Sequence, residues 1–253
     1  MKRDFTLSAY KSLCNSLISN NFNFKTIEAY VSSDTDTSKL ALIRHDVDKN
    51  PLNALKIAKI ENSLGICSTF YFRIVENVFN KNIIKEISSL GHEIGYHYEV
   101  LAKNNGDREK AIYDFEINLK KLRAVVPIKT ICMHGSPLSK WKDSNLWNDY
   151  NFEDYGIKGE AFLSLNYDEI LYFTDTGRRW NGSGSNVRDK VSTNLNYSRP
   201  KSTYELISQL SEINKSVSIN SHPQRWHENF FYWFSEYFLQ NCKNIGKKYI
   251  LKK

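Results

Sequence analysis

Apolar residues fall along this chain in two alternating patterns. Runs of strand length occur at 40–44 (LALIR), 68–75 (STFYFRIV), 92–98 (HEIGYHY), 128–134 (IKTICMH), 169–175 (EILYFTD) and 216–222 (SVSINSH). Helical patterns lie between them, and this alternation marks βα units and a parallel sheet. Between the first two runs, Asn50 and Pro51 read as N-cap and first helical residue, Leu52, Leu55, Ile60 and Leu64 as the apolar stripe, and Gly65 as the stop. A second helix is predicted from Lys81, capped by Asn80, to Leu90 before Gly91. A third runs from about Asp107 to Leu122, with Ala111, Phe115, Leu119 and Leu122 on one face.

From Lys140 to Arg199 the pattern weakens into aromatic and polar residues such as NGSGSNVRD, which suits a long functional insertion on a scaffold. Residues 1–38 read as an N-terminal helical segment, and the aromatic-rich stretch 227–250 as a helix packed on the same domain. At least six βα units in 253 residues close most simply into a single parallel barrel. In such a barrel the chemistry gathers where the strands end.

Composition removes several alternatives. Hydrophobic residues make up 41% and no segment approaches the ~20 unbroken apolar residues of a membrane span, so none is expected. The start, MKRDFTLSAYKSL, is basic without an apolar h-region, which makes the cytoplasm the expected location. Cys14, Cys67, Cys132 and Cys242 are far apart and form no CxxC, so free thiols are expected rather than a disulfide frame. The net charge of +7 comes from scattered lysines, with one dense group in KNIGKKYILKK. No basic run interleaves with aromatics, so nucleic acid is not the expected partner, whereas a small anionic substrate or a glycan is.

The histidines and aspartates collect at strand ends. By strand alternation Arg44, Asp46 and Asp48 share one face, while His45 and Val47 take the other. Two carboxylates so placed disfavour joint ionisation unless a cation sits beside them. A divalent metal, with one carboxylate as ligand and the other as base, resolves the conflict. Asp48, His97 and His134 come from the ends of nearby strands and offer a carboxylate and two imidazoles, a set that zinc or a similar ion accepts. His222 ends the 216–222 run on the face of Ser218 and Asn220, where an imidazole can act as a general acid. His45 and His92 have the opposite parity and are expected to pack outside the mouth.

IRHDVD, GHEIGYHYE, MHGSP and the late SHP together resemble the polysaccharide deacetylase family. The resemblance spans about residues 40–222 and implies a distorted (β/α)7 barrel that removes N-acyl groups from amino sugars with a divalent metal, zinc first among them. It implies Asp46 as the base, Asp48 and His97 as metal ligands, and His222 as the general acid. The family's second metal histidine would fall at Leu101, so the third ligand must come from elsewhere, His134 being the first choice and Glu99 the alternative, or the metal has no third ligand and is bound weakly. The family's arginine and proline motif has no clear match, since MHGSP stands in its place.

After the 169–175 run, Asp175, Arg178 and Trp180 make a set suited to holding a sugar, by stacking and hydrogen bonds; an Arg–Asp bridge that pins a loop is the other reading. Glu99 is a further candidate substrate contact. The expected function is a metal-dependent amide hydrolase acting on an amino sugar or a sugar-containing precursor. The alternatives are a carbohydrate-binding barrel without catalysis and a metal-dependent hydrolase of a non-sugar amide.

Overall fold

The computed structural model describes residues 2–33, 39–180 and 189–250; the NGSGSNVR part of the predicted insertion lies outside the described residues. In chain order the elements are α1 (Leu7–Ser19), β1 (Asn23–Phe24), α2 (Ile27–Val31), β2 (Leu40–Val47), α3 (Pro51–Ser63), β3 (Thr69–Phe72), α4 (Lys81–Ser89), β4 (Glu93–Tyr98), α5 (Val100–Lys103) and α6 (Arg108–Arg123). They continue with β5 (Thr130–Met133), β6 (Gly159–Glu160), β7 (Ile170–Thr174), α7 (Thr203–Gln209), β8 (Ser216–Ser221) and α8 (Phe230–Ile250). All strand pairs are parallel. Seven strands follow one path, β6-β5-β4-β3-β2-β8-β7, and β1 adds to β2.

The sheet curls into a parallel half-barrel of seven strands, as one α/β domain; the strand spacing led us to expect a parallel barrel, and the family resemblance implied its distorted (β/α)7 form. Its edges approach each other across the interior: Phe162, just after β6, lies 6.4 Å from Tyr172 of β7, ring centre to ring centre. The Arg44 guanidinium sits between them, 4.2 Å from the Phe162 ring and 5.7 Å from that of Tyr172. Leu42, Tyr71, Cys132, Ala161 and Tyr172 fill the inside. The alternate residues Ile43, Phe70, Phe72, Ile131 and Ile219 pack outward in the core under the helices. Each such burial contributes ~1.5–3 kcal/mol, which holds on the sheet helices that would be marginal alone.

Gly95 explains one glycine of GHEIG. A Cβ there would come within 2.3 Å of the Tyr71 ring, so β4 can lie this close to the tyrosine only with hydrogen at that position. Two helix starts differ in mechanism. Asn80 caps α4 as expected, accepting from the Asn82 and Ile83 amides. Asn50 does not cap α3 with its side chain: it takes a left-handed backbone (φ 49°), which Asn tolerates better than most residues, and Pro51 opens the helix.

His45 and His92 point outward, as alternation requires, and meet at Glu61 of α3. Glu61 accepts from Tyr10 Oη (2.5 Å) and Ser68 Oγ (2.7 Å) and lies 3.0 Å from His45 Nε2. Ser68 Oγ is also 3.1 Å from His92 Nδ1, and His92 Nε2 donates to the Ala58 carbonyl. Burial pushes the Glu61 carboxyl up, but the two histidines and the Tyr10 hydroxyl outweigh it and hold it below its usual range. This carboxylate ties α1, α3 and the outer face of the sheet together.

Candidate functional site

Parallel pairing brings the C-terminal ends of β5, β4, β3, β2 and β8, in that order, to one edge of the sheet. Arg44 pairs with Asn220, and His97 with Cys132. Asp46 and Asp48 leave the end of β2 on its inner side, His97 comes from β4, and His134 follows β5, its amide bonded to the Tyr98 carbonyl. His222 follows β8.

Asp48 is the centre of the group. His97 Nε2 and His134 Nε2 each lie 3.4 Å from its Oδ1, and His222 Nε2 lies 3.9 Å from its Oδ2. Hydrogen bonds on the far side of each ring fix the tautomers. His97 Nδ1 is 2.9 Å from the Cys132 carbonyl, which can only accept, so Nδ1 carries the proton. His134 Nδ1 is 3.1 Å from Glu99 Oε2, and His222 Nδ1 is 2.6 Å from Asp175 Oδ1. Every Nε2 in its neutral form therefore turns a lone pair toward a carboxylate.

Asp48 Oδ1 is buried and accepts no well-formed hydrogen bond. The ligand atoms of Asp48, His97 and His134 all lie within 4.8 Å of one another. A tetrahedral ion with bonds of ~2.0–2.2 Å holds its ligand atoms about 3.4 Å apart, the separation seen here between Asp48 Oδ1 and both imidazoles. The residues fit such an ion. Burial pushes the Asp48 carboxyl up, but His134, His97 and His222 hold it well below the usual range. Burial likewise opposes the charged form of His97, but Asp46 and Asp48 outweigh it and raise its pKa.

A second set, Asp46, His97 and Cys132, is also close enough to hold an ion. Burial pushes the Cys132 thiol well up, against the Arg44 charge, so it stays a thiol and is the poorer ligand. Within this set Asp46 accepts from Asn220 Nδ2 (2.9 Å), with Arg44 3.7 Å away.

Glu99 stands behind His134 rather than beside the open positions. Both its oxygens accept from Arg73 at 2.6 Å, and Lys103 lies 2.6 Å from Oε1. Burial raises its pKa, but His134, Arg73 and Lys103 lower it far more. Leu101, at the position of the family's second histidine, is packed into the apolar core at 1% exposure. The Asp143 carboxylate caps that turn by accepting from the Leu101 and Ala102 amides.

No family model matches the chain, and no curated protein matches it. Solved structures do. A carbohydrate esterase of family CE4 from Streptococcus mutans is similar over 90% of this chain and 92% of its own, with 15% identity and a TM-score of 0.48. A family 4 carbohydrate esterase from Bacillus anthracis is 12% identical, with a TM-score of 0.40 over 92% of this chain and 85% of its own. PdaA of Bacillus subtilis, also a family 4 carbohydrate esterase, is 11% identical, with a TM-score of 0.41 over 83% and 86%.

Three residues expected to hold a sugar lie elsewhere. Asp175 is fully buried behind His222. Its carboxylate accepts from the His222 amide (3.0 Å), His222 Nδ1 (2.6 Å), Arg225 (2.5 Å) and Trp226 Nε1 (2.8 Å), which leaves it no capacity for a ligand. Burial pushes its carboxyl up, but Arg225 and His222 hold it below the usual range. Arg178 takes a left-handed backbone (φ 56°) and runs under α8, donating to the Trp233 and Asp4 carbonyls and lying over the Phe5, Trp233 and Tyr237 rings. Trp180 is 1% exposed; its Nε1 donates to Thr203, and its ring packs near Phe5 and Trp226. A large apolar ring gains more from this burial than from the mouth.

Asp189 is a residue that the strand pattern did not reveal. It accepts from Tyr172, Thr174 and Thr176, and from Arg44 (3.4 Å) and Asn220 (3.3 Å). It shares Arg44 and Asn220 with Asp46, so it fixes the two donors that face that carboxylate. Gln224 Nε2 donates to Asp48 Oδ2 at 3.2 Å.

Proposed function

We propose that this protein is a metal-dependent hydrolase that removes an N-acyl group from an amino sugar or a sugar-containing precursor. The observation that carries the proposal is the convergence of Asp48 Oδ1, His97 Nε2 and His134 Nε2 to within 4.8 Å of one another, with Asp46 and His222 beside them. Asp48, His97 and His134 would hold a divalent ion, zinc first among the candidates, because two imidazoles and a carboxylate leave open positions in its coordination. When bound, such an ion lowers the pKa of water toward ~7 and polarises a carbonyl.

The chain's own groups supply the proton transfers. Asp46 takes a proton from the attacking water; Asn220 and Arg44 hold its Oδ2, and Oδ1, which meets the weak Cys132 thiol donor at 3.8 Å, is the oxygen that acts. His222 gives a proton from Nε2 to the leaving amine. Asp175 keeps the other proton on Nδ1 and stabilises the imidazolium from which the Nε2 proton leaves, and the proton that Asp46 took returns to Nε2 when the products depart. Glu99, held by Arg73 and Lys103, plays the same orienting part for His134. A glycan substrate follows from the motif resemblance, and the polar rim of the strand ends suits its hydroxyls.

The test is a pair of substitutions read by metal content and by turnover of N-acetylated amino sugars. Asp46→Asn should keep the metal and lose ~10²- to 10⁴-fold in turnover, the usual contribution of a general base, whereas Asp48→Asn should lose both. A wild-type chain that takes up no zinc, cobalt or nickel would sink the metal assignment. Near-normal turnover by Asp46→Asn would remove Asp46 from its role.

A further inference from the structure

Helix α8 packs inside out. Among its described side chains, those turned to the domain include Gln240 and Asn244, only 7% and 4% exposed, and half-buried Trp233. Asn244 donates to the Gly177 carbonyl, Gln240 donates to Asn244, and the Trp233 indole donates to the Asp4 carbonyl. The opposite side carries Phe231, Phe234, Phe238, Leu239, Cys242 and Ile245, all exposed, with Phe231 at 79%. Their spacing of three or four residues places them on one outward stripe. An apolar, aromatic stripe along a helix facing water marks a surface that something else covers.

The charge carried by the helix sequence indicates what covers the stripe. Glu236 is the only acid in Phe230–Ile250, and it is half-buried. Lys243, Lys247 and Lys248 belong to the helix sequence, Lys252 and Lys253 follow it, and the Arg3 guanidinium lies over the Phe230 and Trp233 rings (5.7 and 5.9 Å). Pairing with a second copy would bring together two faces of like charge on chains of +7 each. An anionic lipid surface complements both the rings and the lysines, since aromatic side chains settle at the headgroup level and basic residues meet the lipid charge. Among the described residues no helix is long and apolar enough to cross a membrane, so α8 would lie along the surface. We propose that the outward face of α8 docks this protein on an anionic membrane surface. Neither the metal nor the proposed reaction enters this inference.

The experiment is flotation of the full chain with vesicles of phosphatidylcholine alone and of phosphatidylcholine mixed with phosphatidylglycerol, beside sedimentation velocity without lipid. The wild type should float with the anionic vesicles, much less with the neutral ones, and less as salt is raised. The double substitution Phe231→Glu and Phe238→Glu should lower the bound fraction at least about tenfold, since it sets acids in the apolar layer facing lipid charge. Its thermal midpoint should stay unchanged, because both side chains are exposed. Failure to float with either vesicle overturns the proposal. So does a dimer that the same double substitution abolishes, which would assign the face to a second copy.

Discussion

Asp175→Asn tests how the acid side of the site is built. The substitution keeps the shape of the side chain and removes its charge, and a nitrogen then faces donors that need an acceptor. Four donor groups converge on this carboxylate, among them the Arg225 guanidinium and His222 Nδ1. Arg225 is itself 8% exposed, so the change leaves a buried cation without its partner. Breaking a buried pair from one side costs ~3–5 kcal/mol, a large share of the ~5–15 kcal/mol that holds a domain folded. For a chain of this length that corresponds to a fall of about 6–20 °C in the thermal midpoint. The protein should remain folded at 25 °C. Two assays follow: thermal unfolding monitored by tryptophan fluorescence, and turnover in the single variants and in the double variant with His222→Ala. If Asp175 acts through His222, adding Asp175→Asn to His222→Ala should lower turnover no further, although each alone lowers it. A midpoint within about 2 °C of wild type would refute the energetic argument. Losses that multiply in the double variant would refute the positioning argument.

Three further outcomes are expected. His134→Ala should weaken zinc binding in equilibrium dialysis by more than the ~10- to 100-fold expected of Glu99→Gln, because the first removes a ligand and the second only its support; equal losses would give the ligand role to Glu99. Trp180→Ala should lower stability by ~3–5 kcal/mol in chemical denaturation while leaving KM unchanged, whereas a sugar-stacking residue would do the reverse. Stability should fall on acidification in two stages: His92 has its pKa lowered by burial, so stability is lost below pH ~6.5, and Glu61, also depressed, adds a loss below ~4.3 as the pH falls through its folded value. Glu61→Gln should shrink the second stage in thermal midpoints measured across pH without removing it, since Asp48, Glu99 and Asp175 are also held low and lose stability in the same range.

The strands were legible because period-2 patterns with aromatic and β-branched residues admit few alternatives, and the same parity placed Asp46 and Asp48 inward and His45 outward. Two-residue β6, Gly159–Glu160, carries no period at all, and only pairing with β5 makes it a strand. Asp175 and His222 are 47 positions apart, and their contact follows from the register that sets Thr174 beside Asn220. No local pattern carries that register. Arg178 and Trp180 were misplaced because composition suits both a sugar and a core. The left-handed turn through Gly177 (φ 74°) and Arg178 decides the direction, and it sends the chain under α8. Asp189 sits where no periodicity exists, and its five donors come from β2, β7, β8 and the turn after β7.

The position of β8 in the sheet bears on how the molecule is made. β2 pairs with β3 on one side, which follows after the single helix α3, but on the other with β8, which follows roughly 170 residues afterwards. At ~5–20 residues per second of synthesis, the apolar edge LALI waits on the order of 10–30 s for its partner. During that time it presents an open row of backbone donors and acceptors, the feature most prone to capture by another chain. Asp46 and Asp48 ride on one side of this late seam and His222 on the other. A nascent or truncated chain ending before β8 therefore carries the acidic half of the site on a strand that is still sticky, and yield in the cell should be limited by how fast that last seam closes.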